Sequence, residues 1–190
     1  DGVTWTASGI IPDDAGGLTS TLSTWTNITY GNGKYLAISS SDGATASSTD
    51  AITWVRHDEA ISFNPDYIAY GANRFVAIAA ADGESAYSFD GITWYTNSDT
   101  LSDLSSPAIT FQPSNIKYAN GVFVAIGSDS GSATTVVFTS EDGVLWTQRV
   151  MPASQQWSAL TYGKNKWVAK SNAASTDAVA ILNVGTRAKF

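Results

Sequence analysis

The chain has 190 residues, with 17 acidic and 10 basic side chains, a formal net charge of −7, one His and no Cys. This length predicts a single domain over residues 1–190, and the acidic balance argues against binding to nucleic acid or to an anionic membrane. No run approaches the ~20 apolar residues that cross a bilayer, so no membrane insertion is expected. Without cysteine there is no disulfide, no thiolate metal site and no cysteine nucleophile.

The first recurring pattern is an apolar strand that ends in a Tyr-Gly type of turn and continues into an alternating strand. Alternation of apolar and polar residues is typical of a half-buried β-strand, and Asn-Gly turns favour tight hairpins. The pattern occurs four times, at residues 28–38, 68–78, 116–126 and 160–170.

The second pattern, Ser-x-Asp-Gly-x-x-Trp, follows the first pattern and occurs three times, at residues 48–54, 88–94 and 140–146. A further turn and a short strand lie between the two patterns, so each unit contains four strands. In the first copy Ala51 replaces the glycine, which predicts a strained or different turn there because the left-handed conformation favours glycine.

Four strands in a unit of about 40–50 residues predict one blade of a β-propeller. The last unit lacks its own Asp-Gly-x-x-Trp, and Asp1-Gly2-Val3-Thr4-Trp5 supplies that sequence at the amino terminus. We therefore expect an all-β, four-bladed propeller whose N-terminal strand closes the ring and removes the open strand edges. The alternatives are a fragment of a larger propeller and a ring completed by a neighbouring chain.

The two patterns resemble the Asp-box (BNR-like) repeats of sialidase-type propellers, although one residue fewer separates Asp from Trp. Their combination also resembles repeats of phage structural and tail proteins and of bacterial surface proteins. In Asp-box families the aspartate braces a hairpin and the tryptophan packs between blades. The resemblance thus implies structural roles for Asp50, Trp54, Asp90, Trp94, Asp142 and Trp146, and repeat position adds Asp1 and Trp5.

No catalytic set is evident in the sequence. The four arginines occupy unlike positions in their repeats, the three glutamates lie in no recognisable catalytic setting, and no Gly-x-Ser-x-Gly elbow accompanies His57. Paired acids such as Asp58 and Glu59 leave glycoside hydrolysis open as a minor alternative to a solvated acidic loop. We expect no enzyme activity, no cofactor and no metal.

Candidate binding residues lie in the loops. The second turns hold Asp42, Asp82 and Asp129 and should share one face of the ring with the connections 7–24, 56–66, 96–114 and 148–158. These aspartates could bind a cation or sugar hydroxyls, while ordinary turn chemistry explains them without a ligand. Tyr67, Tyr95 and Phe111 lie near the connections and could stack on sugars.

These features favour a non-enzymatic binding or assembly module, most simply an exposed phage decoration or tail protein. Its expected location is a virion surface or the extracellular space, and its expected partners are other virion or surface proteins, with host glycans or a second copy of the chain as further partners. The alternative is a secreted, lectin-like propeller that binds carbohydrate at its loops. The third hypothesis is a glycosidase of the sialidase type.

Overall fold

A computed structural model describes residues 4, 9–12, 23–58, 60–102, 104, 109–172 and 179–183. Within these residues the chain forms fifteen β-strands and no helix. It follows that no helix of the described chain is long and apolar enough to span a bilayer.

The strands form four antiparallel sheets in chain order. The first sheet contains β1 (Trp25–Gly31), β2 (Lys34–Ser39), β3 (Thr45–Ser48) and β4 (Val55–His57). The second contains β5 (Tyr67–Gly71), β6 (Arg74–Ile78), β7 (Ser85–Ser88) and β8 (Tyr95–Thr96). The third contains β9 (Phe111–Ala119), β10 (Val122–Asp129), β11 (Thr134–Ser140) and β12 (Thr147–Gln155). The fourth contains β13 (Trp157–Gly163), β14 (Lys166–Ser171) and β15 (Val179–Asn183).

Each sheet is a meander in which every strand pairs with the next one in the chain. The innermost strands stand side by side, with β1 against β5, β5 against β9 and β9 against β13. This is the arrangement of a four-bladed β-propeller, which confirms the predicted fold class. The predicted closing strand, Asp1–Trp5, lies outside the described residues except for Thr4.

The first turn of each blade is a tight hairpin whose central residues adopt positive φ. In the first blade Asn32 and Gly33 have φ of 48° and 74°, the combination that a type I′ turn needs. The fourth blade reaches the same conformation without glycine, with Lys164 at 48° and Asn165 at 60°. Strand pairing on both sides therefore dictates the turn even where the residue is unfavourable.

The hydrophobic core lies between blades rather than inside one sheet. We call each interface between adjacent blades a joint and number it by the earlier blade. The first and second joints bury the same positions of the repeat. The first contains Leu36, Ile38, Ile68, Phe75, Ala77, Ala86 and Trp94. The second contains Val76, Ile78, Ile116, Phe123, Ala125, Phe138 and Trp146.

A tyrosine of each following blade seals the inner end of the joint. A Cβ on Gly31 would overlap the ring of Tyr70, and one on Gly71 would overlap the ring of Tyr118. At the fourth joint, by contrast, no atom lies within 4 Å of a Cβ built on Gly163, and Tyr30 is 59% exposed. Among the described residues the inner ends of the first two joints are therefore closely packed, and the joint between the fourth and first blades is open at this point.

Candidate functional site: an aromatic platform on the second blade

Three aromatic rings group on the two outer strands of the second blade and the turn between them, and we call Tyr87, Phe89 and Tyr95 the aromatic platform. Tyr87 and Tyr95 stack with ring centroids 5.3 Å apart and an interplanar angle of 25°. Phe89 meets Tyr87 edge-on at 5.8 Å and Tyr95 at 6.5 Å. Such offset and edge-to-face arrangements are the favourable geometries of aromatic pairs.

The local fold places these rings by strand pairing and by a braced turn. Tyr87 on β7 is the direct cross-strand partner of Tyr95 on β8, so their side chains leave the sheet on one face. The intervening turn is held by Asp90, whose Oδ1 accepts hydrogen bonds from the backbone N–H groups of Ile92 and Thr93, both at 2.8 Å. Partial burial raises the pKa of Asp90, but the bonds from Ile92 and Thr93 outweigh it and lower the pKa overall. The carboxylate is therefore charged near neutral pH and keeps the turn rigid.

Arg74 supports the platform from the neighbouring strand. Its guanidinium carbon lies 5.2 Å from the ring centroid of Tyr87 and 5.1 Å from that of Phe89. Cation–π contacts of this kind are worth about 0.5–1 kcal/mol at exposed sites. Its buried Nε has no hydrogen-bond partner among the described atoms, so ring contacts are a main interaction of this end of the side chain.

Two of the three platform rings are exposed, while Tyr87 is half-buried and packs partly against the second joint. Phe89 is 51% and Tyr95 48% exposed. The other two complete blades carry small, polar or aliphatic residues at the equivalent positions, as the strand registers show. These residues are Ser47, Thr49 and Val55 in the first blade and Thr139, Glu141 and Thr147 in the third. Since the same backbone forms without aromatic rings, packing alone does not explain the platform.

The three second-turn aspartates lie on separate blades, and each carboxylate is engaged locally. Asp42 accepts from Arg56 Nη2 at 2.8 Å and from Ser23 Oγ at 2.8 Å. Partial burial raises the pKa of Asp42, but bonds from Ser39, Arg56 and Ser23 outweigh it and bring the pKa to about 2. Asp42 is thus the most strongly held of the three predicted loop acids.

Asp82 and Asp129 are likewise bound to backbone. Asp82 Oδ1 accepts from the N–H of Glu84 at 3.1 Å, and Asp129 Oδ1 accepts from the N–H of Thr110 at 3.1 Å. Among the described residues no three acidic or histidine side chains group together in a way that could hold a metal ion. The structure therefore does not bring the three aspartates together. Turn chemistry accounts for the bonds that Asp82 accepts from Glu84 and Asp42 from Ala44, whereas Arg56, Ser23 and Thr110 reach these acids from elsewhere in the chain.

The three aromatic residues predicted to bind sugar have different positions. Tyr95 belongs to the exposed platform. Tyr67 packs partly against the second joint and lines a central cavity of about 350 Å³ between β1, β5 and β9. Phe111 is fully buried and meets Phe138 edge-on at 4.8 Å, so its ring is not accessible to a ligand.

The Asp-Gly-x-x-Trp segments form one repeated turn, which we call the Asp turn. Asp50, Asp90 and Asp142 each accept from two following backbone N–H groups and from the preceding serine hydroxyl. Trp94 packs at the first joint and Trp146 at the second, while Trp54 is half-buried. Asp1 and Trp5 lie outside the described residues.

His57 has one polar contact of chemical interest, a hydrogen bond of 3.1 Å between its Nε2 and Ser47 Oγ. Burial and the nearby charge of Lys34 lower the pKa of His57, so it is neutral near pH 7. A serine nucleophile also needs a group that orients the histidine, and no described hydrogen bond supplies a carboxylate to its other nitrogen. We assign no catalytic role to this pair.

Arg74, Tyr87 and Phe89 were missed by reasoning from the sequence. The sequence contains a signal for them: when the repeats are aligned, only the second places aromatic residues where the others place Ser, Thr, Val or Glu. The stacking itself depends on cross-strand pairing of residues eight positions apart, which becomes certain only in the folded sheet.

No family model matches the sequence, and no curated protein matches it significantly. Solved structures do resemble the fold. They include BamB from Moraxella catarrhalis, with a TM-score of 0.57 and 13% identity over 84% of this chain and 43% of BamB. A catalytically inactive virginiamycin B lyase from Staphylococcus aureus, solved with quinupristin, has a TM-score of 0.61 and 13% identity over 90% of this chain and 58% of the lyase. The computationally designed protein Ika4 has a TM-score of 0.59 and 12% identity over 96% of this chain and its own full length.

The chain spans less than two thirds of BamB and of the lyase. At these identities the likeness shows the propeller fold alone, because unrelated functions share this architecture.

Proposed function

We propose that this chain is a non-enzymatic binding module, displayed on a virion surface or outside a cell, which contacts a partner protein through the aromatic platform of the second blade. The observation that carries the proposal is a cluster of three aromatic rings, with Phe89 and Tyr95 exposed and Tyr87 half-buried, at positions where the other complete blades have none. Exposed rings rimmed by polar residues are typical of interaction sites.

The composition of the platform favours a protein partner. Tyrosine and arginine are enriched among the residues that contribute most to protein–protein binding. Arg74 already lies against two of the rings, so less rotamer entropy is lost when a partner covers the site. The resemblance of the repeats to those of phage structural and bacterial surface proteins supports a virion or surface protein as that partner.

The test is site-specific photo-crosslinking in the native source of the chain. A photoreactive amino acid at position 95 should crosslink to one defined protein, because this position lies in the platform. The matched control is position 55, the equivalent outer-strand position of the first blade, which is exposed and pairs with Ser47 instead of an aromatic residue. We expect Phe89→Ala to reduce the yield at position 95. Equal crosslinking at positions 55 and 95, or none at either, would refute the proposal.

Carbohydrate binding is the second candidate, and the stacked pair of Tyr87 and Tyr95 favours it because flat aromatic faces also pack against sugar rings. A glycan array separates the two functions. The proposed protein-binding module should give no specific signal. Specific micromolar binding that is lost in Tyr95→Ala would replace it with a lectin, and loss in Asp82→Asn would place the sugar at the loop face.

Glycan cleavage is tested directly on a broad panel of glycosidase substrates. We expect no product release, because Asp42, Asp82, Asp129 and the Asp-turn aspartates each accept hydrogen bonds from neighbouring groups of the fold. Turnover that disappears with a single acid substitution would contradict the non-enzymatic proposal.

A further inference from the structure

The guanidinium of Arg74 has no polar partner among the described residues. It lies 5.2 Å from the ring centroid of Tyr87 and 5.1 Å from that of Phe89, and it forms no hydrogen bond or ion pair with the described part of the chain. Of its nitrogens, Nε is the one that is both buried and unpaired there. Nη1 and Nη2 are therefore accessible from solvent, and no described residue uses their N–H donors.

The same repeat position in the first blade binds a backbone acceptor. Lys34 opens β2 as Arg74 opens β6, and its Nζ donates to the backbone carbonyl of Asp90, in the Asp turn of the next blade, at 2.9 Å. The corresponding carbonyl for Arg74 is that of Asp142, in the third blade. Arg74 lies instead against the rings of its own blade, so its charge is not consumed by the contact that the repeat provides at this position.

Two carboxylates lie close to this region, and both are committed to their own Asp turns. Asp90 directly follows Phe89 and binds the backbone of its turn. Partial burial raises the pKa of Asp142, but the bonds within its turn and the nearby charge of Arg74 outweigh it and lower the pKa overall. Both acids are therefore charged near neutral pH, and neither is an ion-pair partner of Arg74 in the described structure.

A partner that covers the exposed rings also removes water from this guanidinium. A charge that is buried without a counter-charge is strongly unfavourable, so such a partner must bring an anion to Arg74. The planar guanidinium presents its N–H donors as a fork that matches a carboxylate. The nearby Asp90 and Asp142 would repel the double charge of a phosphate more strongly than the single charge of a carboxylate.

We propose that Arg74 binds a carboxylate of the partner protein, supplied by an Asp or Glu side chain beside the residue that packs on Phe89 and Tyr95. This role rests on the proposed function, because the same partner covers the rings and supplies the carboxylate. It adds the chemistry of that partner, which is an exposed acidic segment with an apolar or aromatic neighbour. Since the chain has a net charge of −7, its attraction to an acidic segment is local to Arg74 and is not a property of the whole surface.

A displayed library of random peptides provides the probe. Peptides are selected on the purified full chain after removal of those that also bind the Tyr95→Ala variant, so that the remaining peptides depend on the platform. We expect these peptides to share an Asp or Glu next to an apolar or aromatic residue. Platform-dependent peptides without a shared acid would overturn the role of Arg74 and leave the platform as a binding site. If no selected peptide depends on Tyr95, the proposed function fails as well.

A double-mutant cycle then tests the contact itself, with Kd measured by fluorescence polarisation on a synthetic peptide. Replacing the shared acid of the peptide by its amide should weaken binding to the parent about tenfold or more, as loss of a hydrogen bond to a charged group does. Arg74→Gln should weaken binding of the acidic peptide by a similar factor. The amide replacement should then have no further effect on Arg74→Gln, because the two groups contact each other. An equal effect of the amide on both proteins would overturn the proposal.

Two further variants separate a specific contact from charge and folding effects. Lys166→Gln removes one positive charge at the same repeat position of the fourth blade and should leave both affinities unchanged. Arg74→Lys keeps the charge but lacks the fork, so it should bind the acidic peptide with intermediate affinity and give the same β-sheet spectrum as the parent. Equal weakening by Lys166→Gln and Arg74→Gln would show that net charge, and not Arg74, recognises the acid.

Discussion

At the scale of single residues, the Asp turns show how one carboxylate replaces several backbone partners. Asp50 Oδ1 accepts from the N–H groups of Ile52 and Thr53 at 2.8 and 2.7 Å and from Ser48 Oγ at 2.9 Å. The N–H groups of Ile52 and Thr53 are exposed and would otherwise bond to water, so each bond to the carboxylate makes only a small net contribution to stability. The same arrangement in three blades explains why Asp recurs at this position.

Ala51 is the strained member of this set. Its φ is 60°, whereas Gly91 and Gly143 adopt 78° and 74° at the equivalent position. The sequence predicts a strained or different turn at Ala51, and the structure shows the same turn as in the other blades with Ala51 in the strained conformation. A residue with a Cβ pays about 1–2 kcal/mol for this conformation.

We expect Ala51→Gly to stabilise the protein by about 0.5–1 kcal/mol, because the relief of strain exceeds the extra entropy of the unfolded chain. Gly91→Ala is the matched reverse change and should destabilise, since its Cβ would also meet Leu36 at 2.9 Å. Urea unfolding measures both. A lower urea midpoint for Ala51→Gly would contradict the assignment of strain.

Acid pH should weaken the turns that these carboxylates brace. Backbone bonds from Thr53 and Ile52 and the Ser48 hydroxyl lower the pKa of Asp50 from 3.8 to about 2. A depressed folded-state pKa contributes stability that is present above the unfolded value and is lost as pH falls through the folded value. The urea midpoint of the parent should therefore fall between about pH 4 and pH 2. Asp50→Asn should be less stable at pH 6 and should lose less over that range, and an identical acid loss in both proteins would refute the role of Asp50.

At the scale of elements, the joints depend on close approach between an inner-strand glycine and a tyrosine of the next blade. Gly71 on β5 lies directly under the ring of Tyr118 on β9, so no Cβ fits between them. Gly163 on β13 holds the same repeat position but faces open space. Glycines at equivalent repeat positions therefore differ in how closely the next blade packs against them.

Gly71→Ala should destabilise the protein by about 1–3 kcal/mol, because the added methyl group must displace packed strands or a ring. Gly163→Ala is the matched control and should change stability by less than about 0.5 kcal/mol. Thermal unfolding of the two variants provides the comparison. A large loss in Gly163→Ala would show that Tyr30 packs on Gly163 as Tyr70 packs on Gly31.

At the scale of the whole molecule, stability is distributed along the ring as a series of joints. The inner strands β5 and β9 pack against a neighbouring inner strand on both sides, whereas the closely packed contacts of β1 and β13 lie on one side. Repeat proteins built this way derive their stability from such nearest-neighbour interfaces.

The rate of hydrogen exchange should depend on whether an inner strand is packed on both sides or on one side. All four inner strands pair with their second strands in the same way, so differences in protection report packing rather than hydrogen bonding. We expect amides of β5 and β9 to exchange more slowly than those of β1 and β13 when measured by mass spectrometry on peptides. Protection of β1 equal to that of β5 would indicate a closely packed fourth joint.

Much of the fold could be predicted from local chemistry. The Tyr-Gly strands, the hairpin turns and the Asp turns depend on residues close together in the chain, and their repetition revealed the blades. The candidate site was only partly predictable. The sequence indicates Tyr95 as a candidate binding residue because it lies near a connection, but Tyr87 and Phe89 join it only through the pairing of β7 with β8. The same reasoning indicates Phe111, although the second joint buries its side chain.

The sequence by itself determined the four-stranded unit and the number of units, because turn residues and strand alternation act over a few neighbours. Only the tertiary structure decided which aromatic rings are exposed and which glycines lie beneath a ring. Those properties depend on contacts between blades some forty residues apart in the chain, where the same motif meets a different neighbour each time.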